Sequence, residues 1–367
     1  MKKTICLILA LLTQLTGVAG ERLWEAGPLT WDDFQGEAFA LGNLTSELSY
    51  QLSYANSRFV HHDTTVVGLK AKNSMNPQTS WISDNYKTDD ALRYNQILFD
   101  ILELHRRFLQ RELNRIENVY LAEEKLRTAY QNCNAAIYEF RQESEMGLNI
   151  PALDYWEGRI QSLLEATPLE NIPEIELRKF SYGMNVGVGL GVLTAALQDD
   201  FSSPLYLGYG FELIYKKSVF NLNAILGGNQ TKQELLGENF TWPDDMRTTV
   251  ALLDISAGHT VFENTVHRVV PNIGLGLHEF TAAGNDEEFE KDRATEFGVC
   301  YGFTYDYKFK HAINLIPSPF LTRSREFSDH TIRVRFDVRP ASLNTSRGTS
   351  INLTIGYALV GKLYGFK

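Results

Sequence analysis

The feature that most constrains this chain is a two-residue alternation that recurs from about residue 185 to residue 359. Val186, Val188, Leu190 and Val192 alternate with Asn185, Gly187, Gly189 and Gly191, and Leu205, Leu207, Tyr209, Phe211, Leu213 and Tyr215 alternate with Tyr206, Gly208, Gly210, Glu212 and Lys216. The pattern continues with Phe297, Val299, Tyr301, Phe303, Tyr305, Tyr307 and Phe309, then Ile332, Val334, Phe336 and Val338, then Ile351, Leu353, Ile355, Tyr357 and Leu359. Successive side chains of a strand point to opposite faces, so each segment has one apolar face and one glycine-rich or charged face. The polar face of a soluble sandwich would not favour glycine so heavily, whereas a barrel that turns its apolar face to lipid requires this pattern. With strands at 220–228, 248–262 and 269–280 the count reaches eight, an even number that lets both barrel ends lie on one side of the membrane.

Eight strands enclose a lumen just wide enough for side chains, which argues against a pore. Glu212, Asp254, Glu296, Asp306, Lys308, Arg333, Arg335, Asp337 and Arg339 fall on the inner face, where charges of mixed sign need one another as partners. The segments 197–203, 229–247, 283–293 and 340–349 are expected as outward loops, and Lys216–Ser218 and Glu263–Thr265 as short periplasmic turns. Residues 310–329, with Pro317 and Pro319, are too long for such a turn and leave a flap or a ten-stranded count open.

The chain begins Met1-Lys2-Lys3, followed by an apolar run from Ile5 to Leu12 and small residues up to Gly20, the order of a secretory signal peptide over 1–20. No later stretch is apolar and long enough for a membrane-spanning helix. Cys133 and Cys300 fall in different expected domains, so no structural disulfide is expected. A net charge of −10 argues against a nucleic-acid partner. Pro168, Pro173 and the charged run from Glu174 to Lys179 mark the change from helical to strand-rich texture. The expected domains are therefore 21–173 and 174–367.

Within 21–173, 48–54 and 64–71 alternate as short strands, and Trp81-Ile82 precedes a polar turn. A long helix begins near Asp89 or Asp90, either of which can cap it, and buries Leu98, Ile101, Leu102, Phe108, Leu109, Leu113 and Ile116. A second carries Leu126, Tyr130, Cys133, Ile137 and Phe140, with Gly147 as its stop. A third opens at Pro151, with Tyr155, Ile160, Leu163 and Leu164 as its apolar residues. The fold class is thus an α+β N-terminal domain, short strands packed on about three helices, followed by an all-β eight-stranded antiparallel transmembrane barrel.

The start of the long helix reads Tyr94-Asn95-Gln96-Ile97-Leu98-Phe99-Asp100. Together with 29–36, 79–82, the run from Glu143 to Asn149, and Trp156-Glu157, this heptad is similar to a family of secreted bacterial domains of unknown function. That family is expected to comprise zinc peptidases and carries H-E-Q-x-H-F-D in the helix and a later T-x-H-G-x-N. The resemblance covers roughly 22–166, and Gln96, Phe99, Asp100, Gly147 and Asn149 match the pattern. It places Tyr94, Leu98 and Met146 where three zinc ligands would stand and Asn95 where the general base would stand. Neutral tyrosine, leucine and a thioether make no zinc site, and an amide takes no proton from water.

The resemblance therefore implies a degenerate peptidase-like domain with no catalytic residue, no metal and no cofactor. An outer-membrane anchor holding it in the periplasm would leave it to bind a peptide, protein or envelope polymer, with outer-membrane lipid as the barrel's partner. Bland roles compete at each position: Tyr94 and Leu98 suit an ordinary helix core, and Asp100 suits a local salt bridge or cap. His61 and His62 are adjacent strand residues expected on opposite faces. Two enzymatic alternatives stand beside the binding role. One is a peptidase with ligands relocated to Asp100, Glu103 and His105, and the other a lipid-modifying barrel, for which His259, His267 and His278 show no partner in the sequence. A soluble two-domain protein with a β-sandwich is the remaining alternative.

Overall fold

The computed structural model describes residues 20–38, 45–170, 172–236, 241–283, 293–317, 325–343 and 346–367, so the expected signal peptide lies almost wholly outside the described residues, as do parts of the expected outward loops and of 310–329. The chain divides into two compact units. One takes the described residues up to Arg58, Val67–Glu174 and the segment from Leu315; the other takes Phe59–Val66, Ile175–Asn314 and the described residues from Arg325 onward.

β1 (Tyr50–His61) and β2 (Thr64–Met75) are strands of 12 residues each, in the first unit except for Phe59–Val66, and longer than the short segments expected from alternation alone. The extra length includes Asn56, Ser57 and Arg58, whose polarity hides the strand period, and the turn is made by His62 with φ 52°. That left-handed residue breaks the simple alternation, and the rings of His61 and His62 meet edge to face at 4.3 Å rather than lying on opposite faces. Three helices follow: α1 (Asp89–Asn114), α2 (Ala122–Glu143) and α3 (Ile150–Ala166). Thr88, not Asp89 or Asp90, caps α1, its hydroxyl accepting from the Ala91 amide at 3.2 Å, while the two aspartates occupy the first turn where the helix dipole favours them. On α3 the buried face is Leu153, Trp156, Ile160 and Leu164; Tyr155 and Leu163 lie partly in solvent. The tryptophan at 156 thus sets the helix phase.

The core joins Leu52, Leu69, Ala71 and Met75 of the hairpin to Ile97, Leu98, Phe99, Ile101 and Leu102 of α1 and to Phe140, Leu153 and Trp156. Polar side chains fix the helix on the strands. Gln110 accepts from the Ala71 amide and donates to the Leu69 carbonyl, both at 2.9 Å. Glu103, fully buried, accepts from Arg106 and Arg107 at 2.8 Å, and these arginines donate onward to carbonyls of Leu164, Thr167 and Leu169 at the end of α3. Guanidinium groups there satisfy orphan helix carbonyls and complement the negative end of the dipole. Leu315 returns to this unit, its amide donating to the Val67 carbonyl at 2.8 Å and its side chain resting on Gly68.

The second unit is an eight-stranded antiparallel barrel: β3 (Ile175–Leu193), β4 (Leu205–Tyr215), β5 (Ser218–Gln230), β6 (Arg247–His259), β7 (His267–Ala282), β8 (Arg293–Asn314), β9 (Arg325–Leu343) and β10 (Ser346–Phe366). Each pairs with the next, and β10 closes on β3 with Tyr357 opposite Val186, which excludes the ten-stranded count and the sandwich. Part of 310–329 is strand, because β8 runs to Asn314 and β9 starts at Arg325. The expected loop at 340–349 is also largely strand, since Pro340 to Leu343 pair with Thr349 to Ser346. Tyr215 pairs with Ser218 across a two-residue turn in which Lys216 has φ 56°.

The apolar face of the barrel points outward: Val188 is 59% exposed, Leu205 70% and Ile255 70%. Its interior holds charges in closed sets. Glu212 and Asp306 both accept from Arg268 and Arg333 at 2.7–2.9 Å. Asp254 accepts from Arg335, Arg339 and Asn223, and Arg339 also pairs with Asp337 at 2.6 Å. Lys308 and Lys362 share Glu263 and Asp329. Glu296, expected among them, is only half-buried and accepts instead from the Ser342 amide. A Cβ on Gly183 would stand 2.5 Å from a Glu212 oxygen, so this glycine makes room for the first charge set. One end of the lumen is filled by Leu193, Leu197, Phe201, Tyr206, Trp242 and Phe280, with Phe201 stacked on Phe280 at 4.4 Å. Cys133 and Cys300 are both buried free thiols.

Candidate functional site

The four positions singled out in sequence come together on one side of the first unit. Tyr94, Asn95 and Leu98 lie within the first three turns of α1, and Met146 is carried over them by the connection between α2 and α3. That connection takes three left-handed residues in succession, Glu145 (φ 48°), Met146 (φ 57°) and Gly147 (φ 94°). Gly147 is the one the packing demands, since a Cβ there would meet the Tyr94 ring at 3.1–3.3 Å. The turn brings the Met146 sulfur to 3.6 Å from the Tyr94 hydroxyl. With Thr45, Ser46, Glu47, Leu48 and Arg141 these four line a small cleft.

The residues that matched the expected pattern, among them Gln96, Asp100 and Asn149, hold the surrounding elements together and do not line the cleft. The Tyr94 ring stacks on Phe140 at 5.2 Å, and Phe140 packs edge to face on Trp156. Trp156 donates to Glu143 at 2.7 Å, while Asn149 donates to the Glu143 carbonyl and caps α3 through the Ala152 amide. Gln96 accepts from the Leu29 amide and donates to Asp100, which also accepts from Trp24 Nε1, all at 2.7 Å. Asp33 and Thr30 form a capping box at the turn Trp31–Asp33. Phe99 is wholly core.

The chemistry of the cleft follows from burial. Tyr94 is buried, and desolvation pushes its phenol up from the usual value; Arg141 beside it opposes this and Glu47 adds to it. The phenol is therefore a neutral donor at physiological pH. Asn95 has no exposed surface: its amide donates to the Ala91 carbonyl at 2.8 Å and to the Ser46 hydroxyl at 3.1 Å, while its Oδ1 accepts from nothing in the described structure. Arg141 is half-buried, and its Nε, shielded from solvent, also has no partner there. Leu98 supplies an apolar floor. A phenol, an amide, an isobutyl group and a thioether offer hydrogen bonds and shape, with neither a zinc shell nor a base for water.

Asp100, Glu103 and His105 are not brought into a shared site. Asp100 is occupied by Trp24 and Gln96, and burial raises its carboxyl above the usual range. Glu103 is locked to its two arginines, and His105, its imidazole pushed down by burial, packs on Phe108. Among the described residues no group of three or more His, Cys, Asp or Glu side chains is placed to hold a metal. In the barrel, His267 Nδ1 meets the Tyr305 hydroxyl at 2.8 Å, and His278 is buried beside Phe280 with neither ring nitrogen hydrogen-bonded.

Arg141, Ser46 and Glu47 were not legible as site residues from the sequence. One signal was present: the buried stripe of α2, Cys133 and Ile137, reaches Arg141 one turn on, and a cation continuing an apolar stripe needs a reason.

No protein-family model matches the chain, and comparison with curated proteins returns no match. Among solved structures, similarity is found to Ail, the attachment invasion locus protein of Yersinia pestis, in complex with the heparin analogue sucrose octasulfate (8% identity, 50% of this chain and 99% of that one, TM-score 0.30). Neisserial surface protein A (8% identity, 51% and 99%, TM-score 0.31) and the N-terminal β-barrel domain of Pseudomonas aeruginosa OprF (10% identity, 50% and 99%, TM-score 0.26) are also similar.

Proposed function

We propose that this chain is a non-catalytic binding protein of the outer membrane, in which the barrel is the anchor and the first unit is a periplasmic, degenerate peptidase-like domain that presents a binding cleft. The observation that carries the proposal is the convergence of Tyr94, Asn95, Leu98 and Met146 on one cleft. Positions far apart in sequence meet where the resemblance puts a metal and its base, yet they hold residues that only bind. Anchoring falls to the barrel, whose exposed apolar belt and internally paired charges suit lipid.

The test is zinc content and proteolysis of the full chain in detergent. After equilibration with zinc and desalting, elemental analysis should find no stoichiometric zinc, and casein should remain uncut. Stoichiometric zinc, lost when Asp100, Glu103 or His105 is changed to alanine, would contradict the proposal and favour a peptidase with relocated ligands.

A further inference from the structure

Resting on the binding role just proposed, we infer that the cleft at Tyr94 reads the C-terminal residue of a peptide, with Arg141 taking the terminal carboxylate and Asn95 Oδ1 accepting the N–H of the same residue.

The argument starts from unmet hydrogen-bonding capacity. Nearly every buried polar atom in a folded protein has a partner, so two orphans in one cleft ask for a ligand. Asn95 Oδ1 is an acceptor on a side chain with no exposed surface, held in orientation by the two bonds its amide donates to Ala91 and Ser46. The reverse placement of the amide would set its oxygen against the Ala91 carbonyl, so the atom left without a partner is the acceptor. Arg141 brings a donor with fixed positive charge and no ion-pair partner among the described residues, its Nε buried and unpaired. Beside it stands the Tyr94 hydroxyl, directed toward the Met146 sulfur, a weak acceptor that a carboxylate oxygen would replace to advantage.

A ligand matched to this set must present an anionic acceptor and an N–H donor close together. The last residue of a peptide does so, because its carboxylate and amide are attached to the same Cα. Leu48, Leu98 and Met146 line the same cleft and provide apolar surface for that residue's side chain. Glu47, exposed at the cleft, limits the total negative charge that the site accepts. One carboxylate balances Arg141, whereas a phosphate dianion would leave excess charge against Glu47.

Calorimetry on the full chain in detergent micelles decides the matter, using N-acetylated tripeptides that vary in the last residue, each prepared as the free acid and as the carboxamide. Acids should bind at least about tenfold more tightly than their amides, as expected for a charge-assisted bond lost from a shielded site. Arg141→Gln should abolish that preference, and Arg141→Lys should restore part of it. Members ending in L- and D-residues separate a protein C-terminus from a cell-wall stem peptide, and selective acid binding by either supports the inference. Equal binding of acid and amide by the wild-type chain overturns it while leaving a peptide-binding cleft in place. Failure of every acid and amide to bind overturns the peptide-binding role as well. The wild-type acid-to-amide ratio needs no variant, so misfolding of Arg141→Gln would not remove the test.

Discussion

The two units bury opposite kinds of residue and solve one electrostatic problem alike. In the first unit Leu98, Phe99, Ile101 and Leu102 have 0–1% exposure, and the fully buried carboxylate Glu103 sits between Arg106 and Arg107. In the barrel Ile255 lies on the outer face, while Glu212 and Asp306 lie inside between Arg268 and Arg333 and Asp254 between Arg335 and Arg339. Which residues face inward is therefore set by the medium outside, lipid or water, and residue type alone does not decide it. In both places the carboxylates just named are each held by two cations. They differ in what the spare donors do. Arg106 and Arg107 spend theirs on carbonyls at the end of α3, tying two helices, whereas the barrel charges close on one another and fill the lumen.

The comparison breaks most visibly at Arg333. Replacing it with methionine leaves Glu212 and Asp306 with one guanidinium between them, and breaking a buried set in this way costs about 3–5 kcal/mol. Urea unfolding of the barrel in lipid vesicles, followed by tryptophan fluorescence, should show that loss. An unchanged midpoint would mean that the lumen is wet enough to solvate both carboxylates.

Ile255→Arg separates lipid from water as the outer medium. On a lipid-facing strand an arginine costs about 2–4 kcal/mol near mid-membrane and little near the interface. On a water-facing strand the same change would be close to neutral, so the same vesicle unfolding assay reads the environment of the outer face directly.

A smaller effect probes how the cleft is assembled. Gly147→Ala forces a left-handed φ on a residue with a Cβ and drives that Cβ into the Tyr94 ring, which together cost about 1–3 kcal/mol. The loss should appear as a lower melting temperature of the first unit and an unchanged melting temperature of the barrel.

The smallest effect is a pH dependence confined to the first unit. Burial raises the Asp100 carboxyl, an effect opposed by hydrogen bonds from Trp24 and Gln96. The folded state therefore binds its proton more tightly than the unfolded chain does. The stabilisation is complete below the ordinary aspartate value of about 3.9 and is lost as pH rises through the higher folded value. Asp100→Asn keeps an oxygen for both donors and has no proton to lose, so its melting temperature should be flatter across that acidic window than that of the wild type.

Much of the fold was legible because both periods were strong: two in the barrel strands and three-to-four in α1. Where they failed, a local cause is visible. The polar residues Asn56, Ser57 and Arg58 concealed the outer half of β1, and 340–349, expected as a loop, is largely where β9 and β10 continue to pair. The inward faces of the charged strands were readable, but their pairing was not. Asp254 and Arg339 are 85 residues apart, and only closure of the barrel makes them neighbours. The candidate site divides in the same way. Tyr94, Asn95 and Leu98 came from one heptad and Met146 from a second short segment. Arg141 and Ser46 enter through packing of α2 and of the strand pair Ser46–Glu47 with Trp81–Ile82, which no local pattern announces.

The inversion between the two units is tested most directly by how the chain leaves a membrane. Envelopes from cells expressing the full chain would be washed with alkaline carbonate and then extracted with detergent, and the chain followed by immunoblot. An outward apolar face held in lipid predicts that the chain stays with the membranes through carbonate and is released by detergent. Release by carbonate alone would mean that this face meets water or protein, contradicting the membrane barrel.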